Sequence, residues 1–159
     1  MTNCFYVQAQ VKKKDGEEYY HQLARQTDNK ALQTILTMLA DEEIKHHYTI
    51  ERMQTTEPRM EEATILTDAR NIFVQIKESG ESFDFDIKQT DLYRKAQDIE
   101  KQSQDFYTEK ADEVTEKYQK ELFLKLADEE RKHYVLLDNI IEFVSKPEYW
   151  LENAEFFHL

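Results

Sequence analysis

Two glutamate–histidine pairs are the residues of this sequence best suited to chemistry. Glu43 precedes His46 by three positions, and Glu130 precedes His133 by the same interval. On an α-helix this spacing places both side chains on one face, where they can bind the same ion. A carboxylate oxygen beside an imidazole nitrogen suits iron or manganese, with zinc as an alternative. A single pair of this kind is more often an exposed polar pair, but two pairs at matched positions favour a metal site.

Both pairs interrupt stripes of residues that are otherwise apolar. The stripes recur at steps of three and four residues, which predicts the inward face of an amphipathic helix. Burying an isolated carboxylate costs several kcal/mol, so each pair needs a compensating partner, and a cation is the simplest one. The first stripe is Leu32, Leu36, Leu39, Glu43, His46, Ile50 and Met53, and the second is Leu122, Leu126, Glu130, His133, Leu137 and Ile140.

The two stripes belong to an internal repeat. The pentapeptide LADEE occurs at 39–43 and again at 126–130, an offset of 87 residues. The same offset continues without a gap on both sides and pairs, for example, Tyr20 with Tyr107. Because chance does not explain matches over so long a register, we interpret the chain as a duplicated helical hairpin.

The composition favours helices joined by short connections. The chain of 159 residues contains only two glycines and two prolines, too few for the turns of a sheet protein. Two hairpins joined by a long crossover predict an all-α, ferritin-like four-helix bundle. Asp28 and Thr115 are the expected N-caps of the second helix in each hairpin. We expect a single domain over 1–159. Its first repeat covers about 4–54, with helices at 4–26 and 29–54, and its second repeat covers about 88–145, with helices at 88–113 and 116–145. A linker with a short helix at 55–87 joins the repeats, and an aromatic segment at 146–159 follows the second one.

The charge balance excludes several classes of partner. The formal net charge is −12, and the one basic run, at 12–14, is surrounded by acidic residues. Binding to nucleic acid or to an anionic membrane is therefore not expected. The single cysteine, Cys4, excludes an intramolecular disulfide and a four-cysteine iron centre within this sequence. Since the sequence has neither a long apolar run nor a secretory signal, we expect a cytoplasmic protein.

The third predicted helix adds a further carboxylate. Glu100 lies on its inward stripe, in the same layer as the glutamate–histidine pairs if the hairpins are regular. Tyr107, two turns further on, can approach that layer, and Tyr20 is its counterpart in the first repeat. An ordinary packing role and a redox or hydrogen-bonding role are both open for Tyr107. The candidate metal ligands are Glu43, His46, Glu100, Glu130 and His133.

Five segments of the chain carry a combination of residues that is specific to one known family. They are Gly16-x-x-Tyr19-Tyr20, LADEEIKH at 39–46, Glu100-x-x-Ser103-x-x-Phe106-Tyr107, LADEERKH at 126–133, and the tail from Trp150 to Phe156. This combination resembles the rubrerythrin branch of the ferritin-like di-iron carboxylate family. The resemblance implies a bundle that binds one or two iron ions and acts as an oxidoreductase on peroxide or oxygen. Rubrerythrins proper also carry a cysteine-ligated iron domain, so an external electron-donor protein is implied for this chain.

One position departs from the pattern of that family. The family places a glutamate on the first helix, and the offset from Glu100 puts the equivalent position at Lys13. Glu43, Glu100 and Glu130 contribute three negative charges and Lys13 one positive charge, which leaves −2, enough to balance one divalent ion. The resemblance implies that the metal bound by Glu100, Glu130 and His133, with Glu43 shared, is the one that survives. We expect the Lys13 ammonium to lie beside the carboxylates and to disfavour a second ion.

Several alternatives follow from these observations. Lys13 reaches solvent in one of them, and Glu17, one turn away, replaces it as a ligand.

Candidate catalytic residues are Tyr107, Tyr20 and Lys13. The first functional hypothesis is an iron oxidoreductase, and the alternative is a non-catalytic ferritin-like binding or structural module with one metal or none. Iron storage would need a hollow assembly that the sequence does not indicate. The aromatic tail is interpreted as a packing or dimer contact, and we expect a homodimer.

Overall fold

The computed structural model describes the backbone of residues 2–153 and the side chains of residues 14–152. This part of the chain contains no β-strand, and none of its helices is long and apolar enough to cross a membrane. The helices form two hairpins joined by a long crossover, which confirms the prediction of an all-α, ferritin-like bundle. In chain order they are α1 (Thr2–Gln26), α2 (Lys30–Arg52), α3 (Ile65–Ser79), α4 (Gln89–Glu113), α5 (Lys117–Ser145) and α6 (Pro147–Asn153).

The internal repeat is visible in the helix boundaries. α1 ends at residue 26 and α4 at residue 113, so these two ends differ by the 87 residues of the sequence offset. α2 and α5 also begin 87 residues apart. α5 is the longer of the two, with 29 residues against 23, because the chain leaves α2 after Arg52 to enter the crossover. Each hairpin is therefore a copy of the other up to the point where the crossover begins.

The N-caps of α2 and α5 lie one residue later than the sequence analysis predicts. Asn29, rather than Asp28, caps α2, and its side-chain oxygen accepts a hydrogen bond from the Leu32 amide at 3.0 Å. Glu116, rather than Thr115, occupies the equivalent position before α5. A capping side chain acts from the last extended residue, because from there its oxygen reaches the amide three residues further on. The predicted caps are therefore wrong by one position in both hairpins.

A polar layer separates two apolar clusters in the interior. One cluster lies towards α3 and α6 and includes Leu36 and Phe73. The other lies towards the opposite end of the bundle and includes Ile50 and Phe123. Along α2, α4 and α5 the buried residues pass from one cluster to the other through glutamate and histidine. The fold thus places its ionisable core residues at one level, with apolar packing above and below.

Two additional helices cover one end of the bundle. α3 buries the apolar face that its residue spacing predicts, including Phe73. Trp150 of α6 packs on Phe73 with 4.7 Å between ring centroids, and on Phe143 of α5 with 5.5 Å. The start of the aromatic tail therefore packs inside the chain itself. The remainder of the tail, 154–159, lies outside the described residues.

Candidate metal centre

The polar layer is formed by inward-facing residues of three helices. α2 contributes Glu43 and His46, α4 contributes Glu100, and α5 contributes Glu130 and His133. None of the five is more than 3% exposed. They are buried because each occupies a core position of an amphipathic helix whose other core positions are mostly apolar. The structure thus brings together all five residues that the sequence analysis names as candidate ligands.

The shortest distances in the layer join the two hairpins. Ligand atoms of Glu43, Glu100, Glu130 and His133 all lie within 4.8 Å of one another. His133 Nδ1 is 3.2 Å from Glu43 Oε1 and 3.4 Å from Glu100 Oε1. His46 Nδ1 forms a 3.0 Å hydrogen bond with Glu130 Oε1, and the rings of the two histidines are stacked with centroids 5.6 Å apart. Three carboxylates and one imidazole therefore surround a volume suited to one cation.

The ligand atoms of the layer are better satisfied by a bound cation than by contacts within the protein alone. Glu100 Oε2 is fully buried and accepts no hydrogen bond from any residue that the structure describes. An unsatisfied buried polar atom costs about 1–3 kcal/mol, and a charged one costs more. Three carboxylates at this separation also repel one another. A divalent cation relieves both penalties, so the residues present fit a metal such as iron or manganese.

The pKa shifts in the layer reflect its crowded negative charge. Burial, together with the carboxylates of Glu130 and Glu43, raises the pKa of Glu100 well above its usual range. Burial lowers the pKa of His133, but the surrounding carboxylates, Glu100 first among them, outweigh that effect and hold it well above its ordinary value. Both shifts show that the site favours additional positive charge, which is the electrostatic condition for binding a cation.

Tyr20 contacts the layer directly. Its hydroxyl donates a hydrogen bond to Glu100 Oε1. Burial and the nearby carboxylates of Glu100 and Glu43 raise the pKa of Tyr20 well above its usual value, so the hydroxyl keeps its proton. Tyr107, the counterpart in the second repeat, is buried in an apolar cluster, and its ring stacks on Phe123 with centroids 6.4 Å apart. The redox or hydrogen-bonding role of Tyr107 stays a prediction.

The departure from the family pattern falls where side chains are not described. Position 13 belongs to α1, but the Lys13 side chain lies outside the described residues. Its proposed position beside the carboxylates stays a prediction. The Glu17 side chain, the alternative ligand, is 34% exposed and lies 3.8 Å from His21 of the same helix. This placement gives the alternative no support.

Gly16 provides the space that Glu43 occupies, a role that the sequence analysis did not assign. A Cβ atom at Gly16 would lie 3.2 Å from Glu43 Oε2, which is closer than ordinary van der Waals contact. The equivalent residue of the second repeat is Ser103, so the repeat itself does not require glycine here. The available signal was a glycine in the interior of a helix, in a chain with only one other glycine, Gly80.

Replacing Gly16 by alanine is expected to weaken metal binding without destabilising the metal-free protein. Alanine favours the helix by up to about 1 kcal/mol, but its methyl group forces the Glu43 carboxylate to move by a few tenths of an ångström. We expect affinity for Fe²⁺ to fall by about tenfold, the scale of losses at residues that position ligands. Anaerobic titration and thermal unfolding of both proteins measure the two effects.

Gly80 offers the matched control for this substitution. It has φ +67°, and a Cβ atom there would meet nothing within 4 Å. Gly80→Ala is expected to lower stability by about 1 kcal/mol through backbone strain and to leave metal affinity unchanged. Equal metal affinity of the Gly16→Ala protein and the unmutated protein would contradict the positioning role of Gly16.

Fold and site together define a ferritin-like bundle with a buried carboxylate–histidine layer suited to metal. A family model described as Rubrerythrin matches residues 10–142, and the chain belongs to the rubrerythrin family. Proteins of this family typically bind iron. A solved structure titled "Hypothetical Protein Pfu-1136390-001 From Pyrococcus furiosus" is similar with a TM-score of 0.66 and 21% sequence identity, over 91% of this chain and 90% of that chain, and this likeness shows the fold alone. No curated protein matches the sequence.

Proposed function

We propose that this protein is a rubrerythrin-like iron oxidoreductase that reduces peroxide, with molecular oxygen as the alternative oxidant. The observation that carries the proposal is the buried group of Glu43, Glu100, Glu130 and His133 at the centre of a rubrerythrin-family bundle. These four residues would hold the iron, and His46 would orient Glu130 through their 3.0 Å hydrogen bond. Ferrous iron bound there would supply electrons to the oxidant.

The chain's own residues would supply a positioned ligand and a water-poor environment. Reduction of hydrogen peroxide to two water molecules consumes two electrons and two protons, and the protons would come from solvent. The Tyr20 hydroxyl donates a hydrogen bond to Glu100 Oε1 and would orient that carboxylate at the edge of the layer. The layer itself is almost completely shielded from solvent. The electrons would come from a donor outside the given sequence, and we propose an external donor protein, since the single cysteine of this sequence cannot form a four-cysteine iron centre.

A polar cavity beside the layer favours peroxide or oxygen over a larger substrate. A cavity of about 390 Å³ opens between α2 and the segment 59–64 and reaches His46 at the edge of the layer. Its lining is largely polar and includes Glu42, Arg59 and Glu62. Because the central group lies behind His46, only a molecule of a few atoms would reach it by this route. A homodimer remains part of the proposal.

Single-turnover oxidation tests the proposed activity. Metal-free protein is loaded with Fe²⁺ under argon and mixed with half an equivalent of hydrogen peroxide per iron, so that two ferrous ions supply the two electrons for each peroxide, and ferric absorbance and hydroxyl-radical trapping are recorded. The unmutated protein is expected to oxidise its iron faster than free Fe²⁺ is oxidised and without releasing hydroxyl radical. Glu130→Gln, which removes a ligand charge, is expected to behave like iron in buffer. Oxidation of protein-bound iron at the rate of free iron would contradict the proposal.

Lys13 favours a second candidate function, the non-catalytic metal-binding or structural module. It stands where the family pattern has a glutamate, and a site with one ion lacks the second iron of a two-electron centre. In this case the central layer would hold one iron or none, and bound iron would be oxidised no faster than free Fe²⁺. Bound iron would raise the unfolding temperature by mass action but would not accelerate peroxide consumption.

A further inference from the structure

A second group of ligand-type side chains lies beside the central layer. Glu42, His46 and Glu129 each offer a ligand atom within 4.8 Å of the others. Glu42 and Glu129 are equivalent positions in the two repeats, and each directly precedes a glutamate of the layer. Neither of them was among the candidate ligands of the sequence analysis. His46 is therefore shared between the central layer and this outer group.

Two atoms of the outer group are buried without a hydrogen bond from any described residue. His46 Nδ1 is bonded to Glu130, and the opposite nitrogen, Nε2, is one of the two. The second is Oε2 of Glu129, a residue that is only 3% exposed. Folded proteins rarely leave buried polar atoms unsatisfied, so both atoms call for a ligand. A carboxylate oxygen and an imidazole nitrogen are both ligands of first-row divalent cations.

The nearby ammonium group of Lys132 contacts only one oxygen of Glu129. Lys132 Nζ lies 2.9 Å from Glu129 Oε1, its buried partner. The same ammonium lies 3.2 Å from Glu62 and 3.7 Å from Asp128, whose side chains are exposed. The amide of Ala63 also donates to Glu129 Oε1, at 3.4 Å. These contacts fix the carboxylate through one oxygen and leave the other, Oε2, available to a cation.

The outer group is accessible to ions from solvent. The cavity of about 390 Å³ that reaches His46 is also lined by Glu42. Glu42 forms an ion pair with Lys45 at 3.2 Å, but the Lys45 side chain is 71% exposed, and such surface pairs contribute little free energy. One imidazole nitrogen with two carboxylate oxygens suits first-row divalent ions, including Fe²⁺, Mn²⁺, Co²⁺ and Zn²⁺.

We infer that Glu42, His46 and Glu129 form a second divalent-cation site, separate from the central layer and joined to it through the His46 ring. An ion in this outer site would be separated from Glu130 by the His46 ring, whose Nδ1 atom contacts Glu130 Oε1. The outer site goes beyond the proposed function, because its affinity for a cation does not depend on redox activity at the centre.

Anaerobic titration of the metal-free protein with Co²⁺ tests the outer site, because visible absorbance of Co²⁺ reports coordination while equilibrium dialysis counts the ions. The unmutated chain is expected to bind one ion centrally and one at the outer site. Glu42→Gln and Glu129→Gln are each expected to weaken the outer ion by more than about tenfold and to keep the central one. Glu61→Gln is the matched control, since it removes the same charge from the lining of the same cavity but not from the outer group.

Two comparisons keep the test decisive. Glu129→Gln also removes the ion pair with Lys132, so Glu42→Gln provides a variant in which that buried contact is intact. Unchanged titrations of both variants, or an equal loss in Glu61→Gln, would overturn the outer site. Glu100→Gln is expected to lose the central ion and to retain the outer one. Retention of both ions in Glu100→Gln would contradict the central assignment, and thus the proposed function, without touching the outer site.

Discussion

The Glu100→Gln protein is expected to be more stable than the unmutated protein in the absence of metal, and to lose tight binding at the central layer. Burial and the carboxylates of Glu130 and Glu43 raise the pKa of Glu100, so a negative charge there opposes folding. The amide has the same shape and still accepts the hydrogen bond that Tyr20 donates. We expect a gain of about 2 kcal/mol, which corresponds to about 4–8 °C in unfolding temperature for a domain of this size.

Binding of iron is expected to reverse the order of stability of the unmutated and Glu100→Gln proteins. Central affinity for Fe²⁺ is expected to fall by about 100-fold or more in Glu100→Gln, because a charged ligand becomes a neutral one. Saturating iron then stabilises the unmutated protein much more than the variant, as thermal unfolding with and without Fe²⁺ would show. Glu109→Gln, at an exposed position of the same helix, is the matched control and should change neither quantity appreciably. A Glu100→Gln protein that is less stable without metal would show that the layer is satisfied without a cation.

Lys13→Glu is expected to create a second tight iron site. The C-terminal ends of α1 and α4 coincide under the 87-residue offset, so position 13 occupies the register of Glu100. The substitution exchanges a positive charge for a negative one at the position where the family pattern has a glutamate. In a poorly solvated layer this change in charge is expected to raise affinity for the second ion by about 100-fold or more. Anaerobic Fe²⁺ titration, followed by oxidation and a search for an oxo-bridged di-iron absorption band, measures the effect.

The design of the Lys13 experiment has to separate local from overall charge. Lys14→Glu makes the same change at an exposed neighbouring position and serves as the control. Both variant proteins also carry Glu42→Gln, so that an ion bound at the outer site is not counted. Equal iron stoichiometry in the Lys13→Glu and Lys14→Glu proteins would refute the prediction. So would two tight irons and an oxo-bridged band in the protein that retains Lys13.

The sequence predicts the fold and the central layer because both depend on periodicity. Stripes at steps of three and four residues determine which side chains of α2, α4 and α5 face inward. The internal repeat is a second, independent indicator of which residues face inward. The stripes and the repeat agree at Glu43 and Glu130, and they also agree at His46 and His133. Burial follows from these patterns without knowledge of how the helices cross. This is why all five candidate ligands are found in one layer.

Other features depend on distances between elements that are remote in sequence. Glu42 and Glu129 lie beside the predicted stripes, and their approach to His46 depends on how α2 and α5 lie relative to each other. The fixed position of Glu129 also requires the crossover segment, through the Ala63 amide and Glu62. Gly16 is similar, because the separation of α1 and α2 decides whether a Cβ atom fits beside Glu43. The N-caps were missed for a local reason, a shift of one residue in where each helix begins.

The matching boundaries of the two hairpins also bear on how an asymmetric site can arise. In a symmetric dimer of a single hairpin, every substitution occurs twice, so a lysine at position 13 would remove both of the equivalent glutamates. With both copies in one chain, Lys13 and Gly16 stand in the first copy while Glu100 and Ser103 stand in the second. Covalent fusion therefore frees the two halves of the layer to diverge. One half of the layer can keep its metal ligands while the other half acquires a different function.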